Sequence, residues 1–328
     1  VNISSKSALP VAAIGKFEHP DLTARGERRA IVPLVSLDTL WINTGTLCNI
    51  TCQNCYIESS PKNDRLVYIS TEEVISYLDE IAALRLGTRT IAFTGGEPFL
   101  NPDMIAIAEA TLARGFEVLI LTNAMQPMMR PRVKKELLAL NQRFGRQLRL
   151  RISLDHFTRD LHESERGPKT WDKALAGLDW LSANAFTLAI AGRTCWNETM
   201  ELAREGYKAL IAEHQWPINA DDHDQLHLLP EMDGKADVPE ISTGCWSILG
   251  QRPSDQMCAK SRMIVKRKGA DRPVVVPCTL LPYEPAFEMA TTLTESLRAN
   301  GGMFINGAVK LCHPHCSKFC VLGGGSCS

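Results

Sequence analysis

The sequence predicts an α/β fold, a parallel sheet covered by helices, followed by a small cysteine-rich extension. Three observations carry this. From about residue 37 to residue 230, short apolar runs alternate with helix-like runs. The helix-like runs carry recognisable start and stop signals. After residue 230 the alternation ends, and seven of the chain's 11 cysteines fall in that remainder. Near-continuous apolar strands alternating with helices imply parallel strands buried on both faces. Right-handed crossovers then curl the sheet into a barrel or leave it open and doubly wound. Periodicity alone does not separate these two.

Residues 1–36 carry Pro10, Gly15, Pro20, Gly26 and Pro33 with little periodicity, and read as an irregular arm across the main domain. Strands are expected at 40–43, 90–93, 117–122, 148–155, 187–191 and 225–229. Ser70-Thr71-Glu72-Glu73 is a capping box ahead of Val74, Leu78 and Ile81, with Gly87 ending that helix. Asn101-Pro102 opens a second helix, with Pro at its first position, and Gly115 closes it. Further helices are expected over 131–144, 170–184 and 198–215. The stretch 162–167 reads as a loop. Residues 219–224 are acidic and read as a solvated loop; His223 there is a weak metal candidate, and His227 reads as a satisfied interior group.

The bulk numbers exclude several classes. Hydrophobic residues make up 45% and charged residues 22% of the 328, with formal net charge −1. No basic field draws such a chain to nucleic acid or an anionic membrane. No apolar run approaches the roughly 20 residues that span a bilayer. The first 17 residues have no sustained apolar core of a signal peptide. Eleven cysteines without an export signal point to metal ligation in a reducing, cytoplasmic setting.

The expected chemistry centres on Cys48, Cys52 and Cys55, spaced C-x3-C-x2-C just after an apolar run. Three close thiols cannot all pair as disulfides, and they leave a tetrahedral zinc site one ligand short. A 4Fe-4S cluster offers each iron one outside ligand. Three cysteines would then leave the fourth iron open to a small molecule. Thr94-Gly95-Gly96-Glu97-Pro98 follows about forty residues later, at the end of another apolar run.

Together these two segments resemble the radical S-adenosylmethionine (SAM) superfamily, whose signatures are C-x3-C-x2-C and GGEP. The aromatic that often precedes the third cysteine is absent; Asn54 stands there and Tyr56 follows. The resemblance selects the partial (β/α)6 TIM-like barrel, whose site lies at the C-terminal strand ends. It implies that Cys48, Cys52 and Cys55 hold a 4Fe-4S cluster and that the Gly95-Gly96-Glu97 segment takes the SAM ammonium. Asn123 and the Ser153-x-Asp155 pair match the family's TN and S-x-D strand ends, although His156 replaces the glycine that often follows. Arg166 is expected against the SAM carboxylate, and Arg193 completes the cofactor-binding set. The catalytic residue acting on substrate stays unknown.

The tail is less regular. Apolar arms flank a charged turn containing Gly269 between Cys258 and Cys278, which predicts a β-hairpin with a cysteine at each outer end. Lys266, Arg267 and Lys268 read as a solvated turn rather than a nucleic-acid patch. Cys312, Cys316, Cys320 and Cys327 follow. This region resembles SPASM/Twitch extensions, which carry auxiliary iron–sulfur clusters, although the tail spacing departs from the SPASM pattern. The expected ligands of one auxiliary 4Fe-4S cluster come from Cys258, Cys278, Cys316, Cys320 and Cys327, with Cys245 and Cys312 as bystanders. Zinc on the same thiols is the alternative.

The expected organisation is therefore an arm (1–36), a radical SAM partial barrel (37–230) and an auxiliary-cluster region (231–328). The resemblance implies an enzyme, an oxidoreductase or a lyase/cyclase. It would cleave SAM reductively to a 5′-deoxyadenosyl radical and take hydrogen from a small-molecule substrate. A one-electron donor such as flavodoxin or ferredoxin would feed it, with no nucleic acid or membrane partner. The short arm favours a small substrate over the alternative, a peptide- or protein-modifying SPASM maturase. An iron–sulfur carrier without SAM chemistry is the reading from another class, against which the GGEP segment counts.

Overall fold

A computed structural model of the chain describes residues 15–230 and 237–323. In chain order the strands are β1 (Ile31–Val32), β2 (Thr39–Asn43), β3 (Thr90–Thr94), β4 (Glu117–Thr122), β5 (Leu148–Ser153), β6 (Thr187–Thr194), β7 (Leu226–Pro230), β8 (Ser261–Val265), β9 (Val274–Val276), β10 (Phe304–Ile305) and β11 (Ala308–Lys310). The helices are α1 (Thr71–Leu84), α2 (Met104–Ala113), α3 (Gln126–Met129), α4 (Pro131–Phe144), α5 (Arg159–Arg166), α6 (Trp171–Ala183), α7 (Met200–His214), α8 (Cys245–Leu249) and α9 (Leu293–Ser296).

The main sheet runs β7-β6-β5-β4-β3-β2-β8-β9 and does not close. Its first seven strands are parallel; β9 returns antiparallel to β8. The six expected barrel strands are all present. The hairpin is present too, but β8 also pairs in parallel with β2, with Thr39 opposite Ser261. The cysteine-rich region thus extends the barrel sheet itself.

Alternation along each strand sorts the core into two faces. Leu40, Ile42, Phe93, Ile120 and Ile152 pack outward against Val74, Leu78, Ile107, Leu137 and Leu178 of the helices. Trp41, Ala92, Leu119, Met263 and Val276 fill the inside of the curl. A third cluster gathers Met257, Cys258, Cys278, Leu280, Cys312, Cys316 and Phe319.

Local signals explain most boundaries. Ser70 caps α1, accepting from the Glu73 N–H at 3.3 Å while Glu73 Oε2 accepts from the Ser70 N–H at 2.9 Å. Two expectations need correction. The second helix starts at Met104, not at Pro102, because Asn101 is used elsewhere. Its Oδ1 accepts from the Asp103 N–H, and its Nδ2 donates to the Ile69 and Thr44 carbonyls. The stretch read as a loop around Arg166 is the C-terminal half of α5. The arm is also corrected: its described part lies on the C-terminal region. There β1 pairs with β11, and buried Arg29 binds Glu240 at 2.6 Å and the Leu311 carbonyl at 3.2 Å.

Candidate active site

The loop after β2 carries the three cysteines, and backbone contacts fix its path. Thr44 N–H donates to the Thr94 carbonyl at 2.8 Å, and Cys48 N–H to the Ser60 carbonyl at 3.1 Å. The loop after β3 approaches so closely that glycine is required. A Cβ on Gly96 would lie 2.1 Å from the Leu47 carbonyl oxygen, and one on Gly95 would lie 2.4 Å from that of Gly45. Gly95 also has φ +148, a region L side chains rarely adopt. Gly96 and Glu97 N–H groups donate back to the Gly45 and Leu47 carbonyls. The two sequence motifs are thus one interlocked unit.

A cavity of about 170 Å³ opens at these strand ends. Cys48, Cys52, Cys55, Gly95, Gly96, Asn123, Ser153, Asp155, Arg166 and Arg193 all line it. Of the expected cofactor set, Glu97 stands behind the wall. It is 2% exposed, and its carboxylate accepts from Thr122 Oγ1 at 2.8 Å, Asn123 N–H at 2.9 Å and Phe99 N–H at 3.2 Å. Burial pushes its carboxyl up to about 7, against those three hydrogen bonds. Asn123 spans the gap to the cysteine loop, donating to Asn49 Oδ1 at 2.9 Å.

Two buried ion pairs form the far wall, both anchored by the last turn of α5. Arg166 meets Asp155 with Nε 2.8 Å from Oδ2, and donates from Nη2 to Oδ1 at 3.0 Å. Burial opposes its charge, but Asp155 and Cys52 outweigh that and raise its pKa. Glu165 accepts from Arg193 Nη1 at 2.7 Å. It also accepts from Asn54 N–H and Nδ2, both at 2.9 Å. Sequence reasoning missed Glu165. Its signal is the alternation Asp155, Glu165-Arg166, Arg193, two opposite charges side by side facing two strand-end charges.

Burial pushes the Cys48 thiol up to about 12 and Cys52 to about 11, with Arg166 working against the second. Bare thiolates are therefore disfavoured there, and a cationic metal centre would be needed to deprotonate them. Among the described residues, no three His, Cys, Asp or Glu side chains converge as the ligands of a single ion do. The three thiols ring a cavity instead, as suits a larger body. His156, in place of the family's glycine, is occupied: its ring nitrogens sit 2.8 Å from Thr158 Oγ1 and 3.1 Å from Glu198 Oε2.

A second cysteine set lies elsewhere. Cys258, Cys278, Cys316 and Cys320 line one small cavity of about 20 Å³. Cys316 and Cys320, four apart, share a wide helical turn over Cys316–Leu322. Burial, with Cys278 and Cys258 next, raises the Cys316 pKa. Cys327 lies outside the described residues. Cys312 is engaged otherwise, with Sγ 3.2 Å from the Phe17 carbonyl oxygen, and Cys245 sits by Ser242. In the hairpin turn, Lys266 and Lys268 pair at 2.5 Å with Glu73 and Asp64, and Arg267 pairs with Glu288. His227 is partly exposed, with Nε2 3.2 Å from the Asp224 carbonyl oxygen. Among the described residues, no helix is long and apolar enough to cross a membrane.

The family model described as Radical SAM superfamily matches residues 42–199, which hold the cysteine loop and the cavity wall. The AdoMet-dependent heme synthase of Methanosarcina barkeri is 28% identical over 147 residues, 44% of this chain and 38% of that protein. The antilisterial bacteriocin subtilosin biosynthesis protein AlbA of Bacillus subtilis is 34% identical over 122 residues, 37% of this chain and 25% of that protein. The GTP 3′,8-cyclase of Microcystis aeruginosa is 26% identical over 192 residues, 56% of this chain and 55% of that protein. The chain thus spans between a quarter and about half of these relatives' lengths. Streptococcus suis SuiB, solved with S-adenosylmethionine, superposes with TM-score 0.58 at 12% identity over 82% of this chain and 67% of its own. anSMEcpe, solved with AdoMet, gives 0.58 at 16% identity over 82% and 78%. At those identities the likeness is one of fold. The motifs, their interlocked geometry and the matched span together identify residues 42–199 as a radical SAM superfamily domain.

Proposed function

We propose that the chain is a radical SAM enzyme acting on a small-molecule substrate. One observation carries this: the three thiols of the C-x3-C-x2-C loop and the two glycines of GGEP converge on one cavity walled by buried ion pairs. Cys48, Cys52 and Cys55 would hold a 4Fe-4S cluster. Bound there with SAM, it would supply the one electron that reductive cleavage of the sulfonium needs, the chemistry that precedes hydrogen abstraction from a substrate C–H bond. The protein's own work is placement. Gly95 and Gly96 present backbone to the methionine end, Asn123 and Ser153 offer polar contacts, and Arg166 and Arg193 face the cavity with charges held by Asp155 and Glu165. Glu97 fixes the SAM-binding loop from behind by tying it to Thr122 and Asn123.

We read the chain as an arm (1–36), the barrel (37–230) and an auxiliary-cluster region (231–328). Cys258, Cys278, Cys316 and Cys320 supply four thiols for a second 4Fe-4S cluster, enough to leave no iron open. Such a centre suits electron transfer better than substrate binding. Eleven cysteines, most of them gathered in two sets, support a reducing, cytoplasmic setting and a one-electron donor such as a flavodoxin or ferredoxin. A second reading is a peptide-modifying maturase, favoured by the 34% identity to a bacteriocin biosynthesis protein.

The test is anaerobic reconstitution with iron and sulfide, followed by reduction with dithionite in the presence of SAM. The enzyme reading expects 5′-deoxyadenosine and methionine. A reconstituted, reduced protein that leaves SAM intact is an electron carrier, and the proposal is then wrong.

A further inference from the structure

Four well-buried arginines of this molecule differ in one respect. Arg29, Arg166 and Arg193 each meet a carboxylate, at 2.6, 2.8 and 2.7 Å. Arg262, in β8, is 1% exposed and has none among the described residues. Its Nη1 donates to the Cys258 carbonyl at 2.6 Å and the Ser261 carbonyl at 2.8 Å, and its Nη2 to the Gly307 carbonyl at 2.9 Å. Its Nε is buried with no acceptor. Burial lowers its pKa, and the thiols of Cys258 and Cys278 are the ionisable groups that oppose this. Both line the small cavity with Cys316 and Cys320.

A guanidinium stays protonated in proteins, so this site holds a fixed positive charge. Carbonyl dipoles satisfy its N–H groups but do not neutralise it. A buried charge without a counter-charge is strongly unfavourable. Four thiolates around an iron–sulfur cube carry net negative charge and supply what is missing. We propose that Arg262 is the built-in counter-charge of the auxiliary cluster, a positioning residue that raises its reduction potential. Reduction adds one negative charge to the centre, so a fixed cation beside it stabilises the reduced form more than the oxidised form. This inference rests on the auxiliary-cluster reading above.

The experiment uses the full chain with Cys48, Cys52 and Cys55 changed to Ala, so that only the auxiliary centre is observed. Iron content is measured first, then the midpoint potential by spectroelectrochemical titration. Arg262→Gln keeps hydrogen-bond donors without charge, Arg262→Met fills space without charge, and Arg262→Lys keeps the charge. At a fixed potential, the neutral variants should lower the reduced-to-oxidised ratio about tenfold, equivalent to 59 mV for one electron. Arg262→Lys should change it about threefold or less, by the same relation. Loss of iron in both neutral variants, with retention in Arg262→Lys, supports the proposal equally. Equal potentials in wild type and Arg262→Gln overturn it. So does a fall in Arg262→Lys as large as in Arg262→Gln, or loss of iron in all three, since each describes a carbonyl clamp and not a charge. If the parent chain retains no iron, the auxiliary-cluster reading fails first and takes the proposal with it.

Discussion

The two cysteine sets sit at opposite ends of the same pair of strands. β2 and β8 run parallel, with Thr39 opposite Ser261. Cys48, Cys52 and Cys55 follow β2, whereas Cys258 precedes β8 and Cys278 follows its antiparallel partner β9. The first set lines a cavity of about 170 Å³ beside two buried ion pairs. The second is packed into an apolar cluster around about 20 Å³, near Arg262, which meets no carboxylate among the described residues. The difference is chemical. Three thiols beside an open cavity leave room for a cofactor and a substrate, while four thiols in a filled core leave room for the metal centre alone.

The sharpest way to break that comparison is to remove the wall of the first site. Arg166→Met leaves Asp155 as an uncompensated buried carboxylate. Breaking such a pair costs about 3–5 kcal/mol. The loss should appear in denaturant unfolding, together with a large drop in SAM cleavage and retention of the auxiliary iron. Unchanged stability would mean that Asp155 finds water or another partner.

Gly96→Ala probes the interlock between the loops. The added methyl would meet the Leu47 carbonyl oxygen at 2.1 Å, and backbone must shift to admit it. Overpacking of this kind costs about 1–3 kcal/mol. The expected result is reduced iron at the cysteine loop with the auxiliary centre intact, read from iron analysis and electron paramagnetic resonance. Full iron occupancy at both centres would show that the loop yields without losing its geometry.

A comparable effect is in the pH dependence. The Glu97 carboxyl, pushed by burial from 4.5 to about 7, holds its proton longer in the folded state than in the unfolded chain. Its contribution is therefore fully present below about 4.5 and is lost as pH rises to about 7, on the order of 3 kcal/mol in all. Glu97→Gln cannot titrate. It should flatten the fall in stability between pH 5 and pH 8, measured by denaturant midpoints. Parallel slopes in the two proteins would place the titration elsewhere.

What could be read from the sequence follows from how local its causes are. The six barrel strands and the Ser70 capping box announce themselves within a few residues, and C-x3-C-x2-C with GGEP carries the site almost whole. The pairing of β8 with β2 joins residues more than two hundred positions apart and has no local mark. The stretch 162–167 reads as a loop because the helix it belongs to, α5, has no apolar stripe; that helix buries only His162 and Glu165. Glu165 carries no local mark either, since its role appears only when Asn54 arrives from the cysteine loop and Arg193 from the end of β6. The GGEP glutamate shows the reverse: its motif was legible, but its side chain lies behind the wall and not in it.

The most direct test of the account is SAM cleavage by the variant with Cys48, Cys52 and Cys55 changed to Ala, reconstituted anaerobically and assayed beside its own iron content. The account predicts no 5′-deoxyadenosine above background and about four irons retained per chain, one cube's worth. Cleavage at the wild-type rate would remove the radical SAM site from this loop, and zinc in place of the remaining iron would remove the second cluster.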